Sequence, residues 1–205
     1  MFTVFQKTLL TTAVVAVVFT ARPATALELN PLSYMKDALE AVVEDRSIGD
    51  IARDTEINAK IVAFITDQMG TNVISFNTDV YEQDVMITGV VEQAELKDQA
   101  GRIVKGVSGV KRLYNDVLVI PKIKQDKGLV EGFVDDSVIE GKINIQLIDA
   151  TAVNVTNFRW RSVGGRVFLF GRALSKDELN KVVRVIKGIK NVTQVTNRAK
   201  IKPKG

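Results

Sequence analysis

A chain of 205 residues with 46% hydrophobic and 25% charged side chains and a net charge of +4 has the make-up of a folded globular protein rather than a disordered one. It contains neither histidine nor cysteine. Their absence removes the usual neutral-pH general base, the thiol nucleophile, disulfides and the common zinc ligand sets, leaving carboxylates as the remaining route to catalysis.

Residues 1–26 read as a cleavable secretory signal: Lys7 supplies the positive flank, Leu9 to Phe19 a short apolar run, and Ala24-Thr25-Ala26 a small-x-small cleavage site. The run is shorter than the roughly 20 residues that span a bilayer. With no cysteine at the cleavage point, the expected product is a periplasmic protein without a lipid anchor. A short helical segment is expected over 27–49.

Beyond it the chain is written twice. A shift of 82 residues, with no gap, sets Asp54 on Asp136, Ile57 on Ile139, Ile61 on Ile143, Val85 on Val167, Asn115 on Asn197 and Pro121 on Pro203. The repeat predicts one module used twice, over 50–122 and 132–205, with a linker at 123–131.

Within the first copy, Asp54 reads as the N-cap of a helix whose apolar face carries Ile57, Ile61, Phe64 and Ile65, stopped by Gly70. Two alternating runs, around 73–81 and 84–91, predict an antiparallel hairpin. Its turn is strongly signalled in the second copy by Gly164-Gly165 and weakly in the first by Glu82-Gln83-Asp84. Val85 and Ile87 then point toward the helices and Met86 and Thr88 away, while Gly89, like Gly171, lets the chain leave the strand. A second helix carries Leu96, Ala100, Ile103 and Val104; its counterpart opens on the capping box Ser175 to Glu178. Gly106 and Gly188 are expected as left-handed caps at the helix ends, and a last strand runs to Pro121 or Pro203. The predicted fold class is α+β: two αββαβ repeats, each a three-stranded mixed sheet with both helices on one face.

The copies differ in charge. Residues 50–122 hold 8 basic and 11 acidic side chains, whereas residues 132–205 hold 14 basic and 6 acidic. Such asymmetry implies that the basic half faces a polyanion and that the halves attract each other. Arg159, Trp160, Arg161 and Arg166 bracket the Gly-Gly turn with the composition of a lipid interface, although strand alternation sets Trp160 beside Phe158, where it reads as core. Lys181, Arg184, Lys187 and Lys190 read equally well as the solvated face of a helix. Phe168 and Phe170 lie on the sheet face opposite the helices and are expected to contact the other copy, the preceding helix or a partner.

Chemistry beyond binding finds little support. The carboxylate pairs Asp135-Asp136 and Glu44-Asp45 are explained by capping and exposure at helix ends, which disfavours a carboxylate hydrolase. Gly101-x-x-x-x-Gly106 lacks the lysine of a phosphate loop, and an exported chain seldom meets nucleic acid. No cofactor, metal or small-molecule substrate is implied.

Val85-Met86-Ile87-Thr88-Gly89, then Gly106-Val107-Ser108-Gly109-Val110 and Asn115, resembles the BON domain, a module of bacterial envelope and osmotic-stress proteins. The second copy repeats the pattern in Val167 to Gly171, Gly188-Ile189-Lys190-Asn191-Val192 and Asn197. The resemblance covers residues 54–203 and implies a protein that is not an enzyme, binds anionic phospholipid surfaces or envelope proteins, and supports outer-membrane integrity. In lipidated members with two such domains, the resemblance puts the anionic-lipid contact on the first helix of the second domain, near an aromatic residue; Val138 stands at that place here. A periplasmic holdase for unfolded outer-membrane proteins, working through an exposed Phe168 and Phe170, is the second reading.

Overall fold

A computed structural model of the chain describes residues 44–70, 73–121 and 129–203. The expected signal segment, the expected helix up to residue 43 and most of the expected linker lie outside the described residues. Residues 44–47 are irregular, not helical.

The first unit runs α1 (Ile48–Met69), β1 (Val73–Tyr81), β2 (Asp84–Val91), α2 (Ala94–Lys105), β3 (Arg112–Asn115) and β4 (Leu118–Val119). The second repeats it as α3 (Leu129–Ile148), β5 (Phe158–Val163), β6 (Arg166–Ala173), α4 (Lys176–Lys187), β7 (Gln194–Asn197) and β8 (Lys200–Ile201). In each sheet the second strand is central: β2 pairs antiparallel with β1 and parallel with β3 and β4, and β6 does the same with β5, β7 and β8. The α+β architecture with two mixed sheets is thus present twice, with the last strand of each unit split in two. In the first unit the split falls where the Asn115 amide turns back to donate to the Lys97 carbonyl and Val117 drops, fully buried, into the helix-side core.

Helix α1 begins earlier than the Asp54 position suggests, because Ser47 supplies the cap: its hydroxyl accepts from the Asp50 N–H at 3.0 Å. That hydroxyl, with Arg53 next, holds the Asp50 carboxyl down at about 2. The buried stripe is Asp54, Ile57, Ile61, Ile65 and Met69. Phe64 falls off this stripe and is 44% exposed.

Asp54 therefore stands inside the helix, only 3% exposed, and does another job. Its carboxylate accepts the Glu82 and Gln83 amides, both at 2.7 Å, and so closes the hairpin turn between β1 and β2. Both turn residues have positive φ, 51° and 65°, a conformation that usually requires glycine or asparagine. In the second unit Asp136 accepts from Gly164 N at 2.7 Å and Gly165 N at 2.9 Å, and from the Ser162 hydroxyl at 2.6 Å. Neither aspartate caps a helix; each ties a helix to the turn of the hairpin beneath it.

Two glycine expectations also change. Gly89 and Gly171 stay within β2 and β6, and their role is close approach: a Cβ on either would sit 2.1 Å from the carbonyl oxygen of Ser75 or Asn157 on the neighbouring strand side. Gly106 and Gly188 are right-handed at φ −76° and −79°. The left-handed residues lie three positions later, at Gly109 and Asn191.

The helix-side cores are separate, formed by Ile57, Ile61, Val85, Ile87 and Val104 in one unit and by Ile139, Ile143, Val167, Leu169 and Val182 in the other. Asp136→Ala is expected to destabilise the protein by about 3 kcal/mol in urea unfolding, because two turn amides and a hydroxyl lose their acceptor. Asp54→Ala should cost more, since Arg46 also loses a carboxylate. A loss below about 1 kcal/mol for both would show that the turns hold without the aspartates.

Candidate functional site

Every residue of β2 is buried, which a sheet covered by helices on one face alone cannot achieve. The other face is covered by the second unit. Tyr81, Met86 and Val90 pack against Val163, Phe168 and Phe170 in a third core, with Tyr114, Leu118 and Ile120 at its margin. Phe168 and Phe170 are 4% and 2% exposed, and the Tyr114 ring meets Phe170 edge-on at 5.9 Å.

Ion pairs rim this core. Arg161 donates to both Asp79 oxygens at 2.9 and 2.7 Å, and Arg198 to both Asp116 oxygens at 3.0 and 2.7 Å. In each pair the partners are 82 residues apart, so they occupy the same place in the two repeats. Residues at equivalent places touch when two units face each other across an approximate two-fold axis, and β1 against β6 and β2 against β5 agree with that relation. The Asp79 carboxylate drives the Arg161 guanidinium pKa higher still.

Residues 44–46 thread between the units. Glu44 bridges Arg46 and Arg159, Asp45 meets Arg172 and Lys202, and the Arg46 guanidinium lies 4.3 Å above the Tyr81 ring. Arg172 also pairs with Glu82, and Lys200 with Asp84. Glu44 is thus a buried clasp between two guanidiniums, not a solvent-exposed helix-end group.

Of the basic residues expected at a lipid interface, Arg159 and Arg161 direct their guanidiniums to Glu44 and Asp79. Trp160 is half-buried against the second helix-side core and donates its indole N–H to the Glu140 carbonyl at 3.3 Å. Arg166 lies on the surface, and Val138 is 47% exposed. Val138 belongs to a stripe on the outward face of α3 with Ile145 and Ile148, each 61% exposed, and with Gly141, whose missing Cβ would meet nothing. Beside it α4 exposes Lys176, Arg184 and Lys187, with Lys190 just beyond.

Sequence reasoning missed the Asp–Arg pairs and the 44–46 clasp. The pairs had a signal: a charge reversal at the repeat offset. Asp84 and Arg166 show the same reversal without touching, because Asp84 turns to Arg112 and Lys200. The clasp had none, since Glu44 to Arg46 lie outside the repeat.

Between α1 and α3 the interface opens into a cleft of about 610 Å³, with β1 and β5 as its floor. Among the described residues no cluster of histidine, cysteine or acidic side chains could hold a metal ion, and no helix is long and apolar enough to cross a membrane.

Two αββαβ units pressed sheet to sheet, with the charged surface turned partly inward, define a tandem repeat of one small α+β domain. Residues 53–121 and 135–203 both match the BON domain, and the chain belongs to the BON-domain family. It is 30% identical over 128 residues to an uncharacterised protein from the gshII 5′ region of Anaplasma centrale, covering 62% of this chain and 82% of that one. It is 24% identical over 155 residues to the osmotically-inducible protein Y of Escherichia coli (strain K12), covering 76% of each. The outer membrane lipoprotein DolP of Haemophilus influenzae matches at 29% identity over 58% of this chain and 60% of its own.

Removing one partner of the Asp79–Arg161 pair strands a charge, so Arg161→Ala is expected to cost about 3 kcal/mol. The double variant with Asp79→Ala should cost less than the sum of the singles, with a coupling of about 1.5 to 3 kcal/mol in urea unfolding. Additive losses would mean that the pair does not hold the units.

Tyr81 gives a second test. Its hydroxyl is buried without a hydrogen-bond partner, and burial pushes its pKa from 10.0 up to about 12 against the opposing pull of Arg172 and Arg46. Raised in the folded state, it contributes stability that is complete below pH 10 and is lost as pH climbs through 12, by about 3 kcal/mol in all. Tyr81→Phe should erase that alkaline loss without destabilising the protein at neutral pH; an unchanged pH profile would count against it.

Proposed function

We propose that the protein is a non-catalytic, envelope-associated binding protein that docks on an anionic membrane surface through the outward faces of α3 and α4. The observation that carries this reading is the exposed stripe of Val138, Ile145 and Ile148. At the equivalent places the first unit has Glu56, Ala63 and Thr66, so the stripe is a property of the second unit and not of the repeat. The two helices lie side by side on one sheet face. Apolar side chains on α3 and cations on α4 therefore share one surface, the composition of a helix pair lying at a lipid headgroup layer. Each cation close to such a surface contributes about 1 kcal/mol.

The name of the Haemophilus relative, outer membrane lipoprotein DolP, assigns that protein to the outer membrane, and the signal-like N-terminus fits an exported chain. A holdase would rely on exposed Phe168 and Phe170; at 4% and 2% exposure they lie inside the interunit core, which favours the membrane reading.

Sedimentation with phosphatidylcholine vesicles containing about a third phosphatidylglycerol should carry the protein down at low salt and release it as salt rises. Ile145→Asp and the pair Arg184→Glu/Lys187→Glu should each weaken binding by about tenfold or more. Equal binding to purely neutral vesicles, or full binding by Ile145→Asp, would overturn the proposal.

A further inference from the structure

We infer that the cleft between the two units binds a small organic cation of the ammonium or guanidinium type, held by the Glu140 carboxylate and the Trp160 ring. The walls are Thr55 and Asn58 of α1 and Glu140 and Asn144 of α3, over a floor that includes Thr78 and Trp160. Its volume of about 610 Å³ falls in the range of small-molecule sites.

Charge selects the ligand. Four carboxylates line the cleft, Glu44, Asp54, Asp79 and Glu140, against the three guanidiniums of Arg46, Arg159 and Arg161. The guanidiniums are already engaged: Arg46 with Glu44 and Asp54, Arg159 with Glu44, Arg161 with Asp79. Among the described residues Glu140 has no cation within ion-pair distance, and its carboxylate accepts only the Ser162 N–H, at 2.8 Å. Burial first, then the nearby Asp79 and Asp136, raise its pKa against the pull of the Ser162 amide and Arg161.

Hydrogen-bonding capacity points the same way. Asn58, Thr78 and Thr156 line the cleft, and each has a side-chain oxygen that is buried and unpartnered among the described residues. Asn58 Oδ1 is an acceptor only, and ammonium and guanidinium are donors only. An anion would face Glu140 unshielded, and a neutral sugar would leave its charge uncompensated in a half-dry site. Trp160 in the lining adds an aromatic ring of the kind that attracts organic cations. Asn58 and Glu140, and likewise Thr78 and Trp160, are 82 residues apart in the chain. The approximate two-fold axis therefore brings these equivalent pairs into one cleft, and within these pairs the carboxylate and the ring both belong to the second unit. The cleft borders the membrane-docking face at Ile148, while Glu140 and Trp160 stand outside the docking stripe.

Trp160 is the sole tryptophan of the chain, so its fluorescence reports on the cleft directly. Titrating the folded protein with spermidine, putrescine or arginine at low salt should give a saturable change, absent with maltotriose or inorganic phosphate. Glu140→Gln should weaken amine binding by about tenfold or more and, by removing a poorly compensated charge, raise the thermal midpoint at neutral pH. Asn58→Leu should weaken binding with the charge retained, and Glu95→Gln on the far helix α2 should change nothing. No saturable response to any of the three amines, undiminished affinity in Glu140→Gln, or equal binding of maltotriose would each overturn the site. A response abolished in Glu140→Gln while that variant melts higher would separate a ligand role from a structural one.

Discussion

Arg161 grips Asp79 with two nitrogens, Arg198 grips Asp116 in the same way, and both contacts join equivalent places of one repeated sequence. Two identical copies packed in this manner would set aspartate against aspartate or arginine against arginine, a repulsion at the rim of a dry core. Opposite charge at those places makes the first unit fit the second and reject itself, the logic by which interfaces gain specificity through repulsion of the wrong pairing. The other features follow from that face-to-face arrangement. It covers the exposed side of β2 and β6, buries Phe168 and Phe170, and leaves a cleft where α1 and α3 diverge.

The uneven charge of the chain acquires a physical meaning here. Arg159, Arg161, Arg172, Arg198, Lys200 and Lys202 of the basic unit are turned inward to carboxylates of the acidic unit or of Glu44 and Asp45. What remains on the outside is concentrated on α4, next to the apolar stripe of α3. The same net charge thus serves cohesion on one side of the second unit and, in the proposed function, attraction to an anionic surface on the other. The outward set is screened by salt more readily than the Arg161–Asp79 and Arg198–Asp116 pairs, whose carboxylates are buried.

The repeat has kept a device while changing its chemistry. In the second unit the hairpin turn uses glycines, for which positive φ costs little; in the first it uses Glu82 and Gln83, for which it does not. The buried Asp54 compensates by accepting both turn amides and the Gln83 side chain as well. Glu82, freed from being glycine, then offers a carboxylate to Arg172 of the other unit. Local strain in one unit is tied in this way to the contact with the other.

Much of the fold was legible from periodicity. The repeat itself, the order helix, hairpin, helix, strand, and the inward set Ile57, Ile61, Val85 and Ile87 depend on neighbours a few residues away, so a pattern along the chain suffices to find them. Phe64 shows the limit, since a helix face is chosen by what it packs against and the stripe turned Met69 inward instead. Asp54 shows it more sharply: a residue that resembles a helix cap was drawn into the helix because a turn 28 residues later needed its carboxylate. The amino-acid sequence by itself determined two copies of one module with unequal charge and no thiol or imidazole. Tertiary structure alone decided which of the charged groups meet each other, because that depends on how two finished surfaces are oriented, and an orientation leaves no period in the chain.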